Sequence, residues 1–203
     1  MYKWISILAL LVSVNLQADV KVLVFAGSLQ RDSVNKKLAI EAAYFAKEGG
    51  ASVKVINLED YIAPIYDADI EKKEKMTANA RKLRDLMIQN QVIIIASPEY
   101  NGSVSAALKN AIDWASRSEQ GVPSREAFKG KRFVIISASP GLSGGARGLN
   151  HLRDILHNLG AFVMEQQVNI PDAYNAFNGN GHLKNVSTRN DLKHLIDESL
   201  NSQ

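Results

Sequence analysis

Residues 92–116 read VIIIASPEYNGSVSAALKNAIDWAS, and this stretch decides the fold. The run VIIIA is β-branched and apolar on both faces, the composition of a parallel strand covered by helices on each side. Pro98 and Gly102 then build a turn, and the cap-competent Ser103 leads into a helix over about 103–116. Ala107, Ala111 and Trp114 fall on one face of that helix, which makes Trp114 a core residue. The same strand–turn–helix unit recurs on both sides. Upstream, VKVLVFA at 20–26 and SVKVINL at 52–58 read as strands; downstream, FVIISAS at 133–139 and AFVMEQQV at 161–168 do the same. The segments between them are helical in period: 35–47 with Leu38, Ala42 and Phe45 on one face, 71–90 with Met76, Ala80, Leu83, Leu86 and Met87, then 146–159 and 188–200.

This alternation predicts an α/β fold: a doubly wound parallel sheet of five strands in the order 2-1-3-4-5, with helices on both faces. In that order a ligand crevice opens at the carboxyl ends of strands 1 and 3, so the loops after residues 26 and 97 are the places to look. Residues 19–203 are expected to form one domain, with surface loops at 117–131 and 171–186. Ahead of it, MYKWISILALLVSVNLQA at 1–18 reads as a secretory signal or N-terminal anchor: Lys3, an apolar run from Trp4 to Val14, then Ala18. An exported or periplasmic location follows if it is a signal, and contact with a membrane only if it is retained.

Composition removes whole classes of chemistry. The 203 residues include no Cys, so there is no thiolate nucleophile, no Cys zinc site and no Cys-ligated cluster, and a redox role must use a bound organic cofactor or another metal. His151, His157, His182 and His194 show no i, i+4 pair, so no metal site is expected. There is no GxSxG elbow for serine hydrolysis. The formal charge of +3 is spread among acidic residues rather than gathered in a stripe, which argues against a nucleic-acid partner.

The first loop, AGSLQRDSVNKKL at 26–38, is neither GxGxxG nor GxxxxGK[ST]. It nevertheless suits an anion: Gly27 permits a tight turn, Ser28, Ser33 and Asn35 can donate hydrogen bonds, and a helix starting near Ser33 aims its N–H groups at the same place. Plain helix capping by Ser33 is the competing reading. The second loop presents Tyr100 and Asn101 at its tip and suits a planar ligand. The third, SASPGLSGGARGLNHLRDILHNLG at 137–160, exposes bare backbone at Gly141, Gly144, Gly145 and Gly148. Such a site offers binding groups rather than a nucleophile with its base, which fits a reactive group carried by a cofactor.

GSLQRDSVNKKL at 27–38, PIYDADIE at 64–71, SPEYNGSVSAALKNAIDWASR at 97–117 and FKGKRFVIISASPGLSGGARGLNHLRDILHNLGA at 128–161 together resemble the NADPH-dependent FMN reductase family. This is a flavodoxin-like group with bacterial quinone and chromate reductases and azoreductases. The resemblance implies FMN as cofactor, NADPH or NADH as cosubstrate, and a quinone-like, azo, metal-oxyanion or flavin acceptor. It further implies that Ser28, Ser33 and Asn35, with Gln30 and Arg31 on the same loop, lie at the FMN phosphate. Pro98, Glu99, Tyr100 and Asn101 would follow the ribityl chain and ring, Gly102 would help position the ring, and Ser139, Gly141, Gly144 and Gly145 would meet its far edge. A homodimer or homotetramer is implied as well.

Departures from the family pattern accompany the likeness. Gln30 stands where relatives commonly have an Arg, so a guanidinium contact to phosphate is replaced unless Arg31 supplies it. Ser105 and Ala106 stand where many have Pro-Gly, and the leader is unusual for a typically cytosolic group. The rival readings are a flavodoxin-like electron carrier with little turnover and a flavin-free binding protein. A sequence pI near 9.0 speaks against the carrier, since flavodoxins tend to be acidic.

Overall fold

Strands β1 (Lys21–Ala26), β3 (Val92–Ala96) and β6 (Arg132–Ala138) run parallel through the middle of the sheet in the computed structural model, which describes residues 19–201. Val22 pairs with Val92 and Val92 with Arg132, and side chains alternate between two apolar layers. Val22, Val24, Ile94 and Ile136 meet helices α1 (Val34–Glu48) and α6 (Val186–Asn201). Leu23, Phe25, Ile93 and Ile135 meet α3 (Ala78–Gln89), α4 (Ala106–Ala115) and α5 (Ala146–Asn158). Burial on both faces is why these strands read as unbroken apolar runs. Each such side chain contributes roughly 1.5–3 kcal/mol when fully buried.

Strand β2 (Ser52–Asn57) adds to the outer side of β1, and the path β2-β1-β3-β6 continues to a last position beyond β6. That is the predicted order 2-1-3-4-5, with one correction at the last strand. The segment 161–168 is not continuous: β7 (Phe162–Val163) pairs with Arg132 and Phe133, and β8 (Val168–Ile170) pairs with Ile136 to Ala138. More residues lie between Val163 and Val168 than between their partners Phe133 and Ile136, so the chain leaves the ladder. Arg153 receives it there, donating to the carbonyls of Met164 at 2.9 Å and Glu165 at 3.1 Å.

The expected helix over 71–90 also divides. Helix α2 (Ala68–Glu74) ends at Lys75, whose φ of 63° turns the chain, and Thr77 caps α3 by accepting from the Ala80 amide. The break lets Met76 join Ala80 and Trp114 in a small apolar cluster. Trp114 is buried, as its helical spacing predicts. The helix expected from 103 begins at Ala106, with Ser105 rather than Ser103 as its cap. Among the described residues no helix is long and apolar enough to cross a membrane; the leader at 1–18 lies outside them.

Candidate active site

Loops leave the carboxyl ends of β1, β3 and β6 at one end of the sheet, and hydrogen bonds tie them to each other. The Gly27 amide donates to the Ala96 carbonyl at 2.9 Å. The Ser105 hydroxyl donates to the Gly27 carbonyl at 2.6 Å while its Oγ accepts from the Leu108 amide at 3.2 Å. One hydroxyl thus caps α4 and fastens the first loop to the second. Asn35 spans to the third: its Nδ2 donates to the Ala138 carbonyl at 2.8 Å, and its Oδ1 accepts from the Ala138 amide at 2.9 Å. Its amide group is therefore engaged with β6, and Asn35 serves as a strut of the frame.

Ser33 is the N-cap of α1, its Oγ accepting from the Asn35 amide at 3.2 Å, so the capping reading describes its hydroxyl. The positive end of α1 still lies at the first loop. Ser28 is buried, and its Oγ accepts from the Gln30 amide at 3.2 Å; Gln30 and Arg31 are exposed on the same turn.

The second loop is a hairpin rather than the simple turn into a helix that its sequence suggests. Strands β4 (Glu99–Tyr100) and β5 (Ser103–Val104) pair antiparallel around Asn101 (φ 53°) and Gly102 (φ 78°). Two successive positive φ values are what an Asn-Gly dipeptide tolerates at a two-residue hairpin turn, and that dipeptide was the available signal. Pro98 is buried at the base and Tyr100 is half exposed.

Glu99 crosses from the hairpin to the third loop. Its Oε2 accepts from the Gly148 amide at 3.0 Å, and its Oε1 faces Arg147 Nε at 3.3 Å and Nη2 at 3.2 Å. Burial pushes the carboxyl pKa up, but the Gly148 amide and then the Arg147 guanidinium outweigh it and hold the group below its ordinary value.

In the third loop the Ser139 amide donates to Ile170 O at 3.0 Å. Gly145 (φ 91°) caps α5, and a Cβ there would collide with Ser137 Oγ, so packing demands glycine. Gly144 is likewise closed in by Ile170 and Pro171 backbone at 2.9 Å. Gly141 differs: the nearest atom to a Cβ would be Ser139 Oγ at 3.9 Å, so nothing in the fold requires glycine there. Bare backbone without a packing reason suits close approach by a ligand; at Gly102 there is room too, with Arg147 Nε at 3.9 Å, but there the turn's φ of 78° already calls for glycine. Below this loop Ser137 Oγ and Asn169 Oδ1, on residues paired across β6 and β8, are buried without a partner among the described residues.

Beside the first loop, a cavity of about 220 Å³ is lined by Leu29, Tyr61, Ile62, Ile65, Ala106 and Trp114. Its outer wall is held from α4: Trp114 Nε1 donates to Pro64 O at 2.7 Å, and Asn110 Oδ1 accepts from the Tyr66 amide at 2.8 Å. Below, Arg117 Nε and Nη2 each reach the Glu71 carboxylate at 2.8 Å, and the Tyr66 hydroxyl donates to Glu71 at 3.0 Å. The Arg117 hydrogen bonds lower the Glu71 pKa; burial opposes them and Tyr66 assists. Sequence reasoning singled out none of Glu71, Asn110 and Arg117, because their partners are 46 or 44 residues away.

A doubly wound α/β domain with cross-tied loops at its switch point is the frame of a nucleotide- or flavin-binding protein. The NADPH-dependent FMN reductase family matches residues 20–175, and the chain belongs to that family. It is 38% identical over 147 residues to a quinone reductase of Escherichia coli K12, covering 72% of this chain and 74% of that protein. It is 34% identical over 172 residues to an NAD(P)H-dependent FMN reductase of Pseudomonas aeruginosa, covering 84% and 88%. In structure it is similar to the flavoenzyme NAD(P)H:(acceptor) oxidoreductase FerB of Paracoccus denitrificans, with a TM-score of 0.72, 27% identity, and 89% and 95% of the two chains covered. Membership makes the protein an oxidoreductase that uses FMN and NAD(P)H and acts on a small-molecule acceptor. The carrier and flavin-free readings are not favoured.

Proposed function

We propose that the protein is an NAD(P)H-dependent quinone reductase whose FMN lies across the three linked loops. The observation that carries this is the cross-tying itself: Ser105 to Gly27, Asn35 to Ala138, and Glu99 to Gly148 hold separate loops as one preformed surface. The residues present fit the group, because the same end of the sheet carries a helix N-terminus, an exposed hairpin tip and the unforced glycine Gly141. Bound FMN would supply a two-electron carrier between a nicotinamide and an acceptor.

The chain's own residues bind and orient. Ser28, Ser33 and the α1 N-terminus receive the phosphate, with Arg31 able to replace the charge that Gln30 lacks. Pro98, Tyr100, Asn101 and Gly102 line the ribityl chain and one edge of the ring, and Ser139, Gly141, Gly144 and Gly145 meet the other edge. Asn35 and Glu99 hold the frame. A planar quinone suits the half-exposed Tyr100 beside it. Residues 19–203 act as one FMN-binding domain, and the protein is a homodimer or homotetramer.

The test is an absorption spectrum of the full chain after FMN loading and desalting, followed by anaerobic NADPH and then 1,4-benzoquinone. Flavin bands that persist, bleach with NADPH and return with the quinone are expected. Absence of retained flavin overturns the proposal, and retained bands that neither NADPH nor NADH bleaches make the protein a carrier.

A further inference from the structure

The hairpin and the glycine loop belong to different strands, yet the Glu99 carboxylate joins them, with Ser103 Oγ and His151 Nδ1 3.0 Å apart beside it. Glu99 is at the first position of β4, and its side chain is 8% exposed. The group it meets is the start of a helix of 13 residues, where unpaired amides concentrate partial positive charge. Arg147, 71% exposed, adds a full charge at the same place. The approach is close: at Gly148 a Cβ would stand 3.2 Å from Glu99 Cβ and 3.2 Å from Ser103 O, so a larger residue would push the hairpin outward by a few tenths of an ångström. Arg147 Nε lies 3.9 Å from the Cβ position of Gly102, at the hairpin tip. The amides at the start of α5 and the Arg147 guanidinium thus border the hairpin at Glu99 and near Gly102, and Glu99 is the anion they meet.

We propose that Glu99 is a positioning residue for the flavin: it clamps the hairpin to the first turn of α5 and cancels the positive charge that α5 and Arg147 would otherwise present to the ring. The inference rests on the FMN reading above. Removing the anion leaves net positive charge beside a group that gains electrons, which favours the reduced form. Removing the cation does the opposite.

The experiment measures the midpoint potential of bound FMN in the full chain and in Glu99→Gln and Arg147→Gln, together with hydrogen exchange at the Gly148 amide in flavin-free protein. Glu99→Gln is expected to favour binding of reduced over oxidised FMN by about tenfold, a rise of ~30 mV for a two-electron couple, and to speed exchange at Gly148. Arg147→Gln is expected to shift the potential the other way. Shifts of the same sign in both variants, or none in either, overturn the inference while leaving the FMN reading intact. Failure of the unsubstituted chain to hold FMN overturns both. Arg147 is on the surface, so its variant remains informative should Glu99→Gln fold poorly; an unchanged potential in Arg147→Gln then refutes the charge balance on its own.

Discussion

Two Glu–Arg pairs serve this molecule in different ways. In the first, Glu71 and Arg117 meet with side chains 4% and 19% exposed and with hydrogen bonds as short as 2.8 Å. Tyr66 adds a third partner, and the Arg117 guanidinium lies 5.6 Å from the centre of its ring. In the second, Arg147 is 71% exposed and no closer than 3.2 Å to Glu99, whose better bond is to the Gly148 backbone at 3.0 Å. The same two residue types therefore form a scaffold joint in one place and a trimmed site contact in the other. Burial decides which: desolvated ions have no substitute for each other, whereas an exposed guanidinium exchanges its partner for water at little cost.

The largest expected effect breaks the scaffold joint. Glu71→Ala leaves Arg117 without its carboxylate in a largely buried position, and about 3–5 kcal/mol of stability should be lost, seen as a fall in Tm of roughly 10 °C in a thermal melt. A change under 2 °C would mean that the joint is relieved by solvent and that the two pairs are alike.

The next effect tests whether the site pair answers to backbone rather than to charge. Gly145→Ala puts a Cβ against Ser137 Oγ at a φ of 91°. Backbone strain of this kind costs about 1–3 kcal/mol, and displacing the first turn of α5 moves the seat of Glu99. FMN retention should fall by about tenfold or more in equilibrium dialysis, well beyond the effect of any substitution at Arg147.

Acid should separate the pairs further. Both carboxylates are held below their ordinary pKa in the folded chain. The unfolded chain therefore binds more protons as pH falls through the carboxylate range. The stability these groups supply is complete at neutral pH and is lost as pH drops through their folded pKa values. Urea titrations at successive pH values should show this loss shrink in Glu71→Gln, and shrink less in Glu99→Gln, whose carboxylate has the more exposed cation. An equal response from both would set aside the distinction.

The smallest effect is a near absence of one. Arg147→Ala should alter unfolding free energy by no more than about 0.5 kcal/mol, the worth of an exposed ion pair. A loss of 2 kcal/mol or more would make it a scaffold joint after all.

Much of the fold was legible because its information is local. The runs at 20–26, 92–97 and 133–139 needed only their own composition to read as buried parallel strands, and Ser33 needed only its neighbours to read as a cap. The splitting of the last strand was not legible, since it depends on Arg153 receiving carbonyls that leave the ladder. The hairpin lay between: Asn101-Gly102 announces it, but a two-residue strand on each side is too short to show alternation.

The candidate site divides along the same line. Which loops carry ligand-capable groups could be read from the residues alone, because glycines, hydroxyls and helix starts act through backbone freedom and short-range hydrogen bonds. What several of those residues do emerges from the folded arrangement. Asn35 turned to Ala138 across 103 residues, Glu99 to Gly148 across 49, and Ser105 to Gly27 across 78. A side chain's partner is whichever group the completed fold brings within about 3 Å, and that distance is set by the packing of helices on both faces of the sheet rather than by any spacing along the chain.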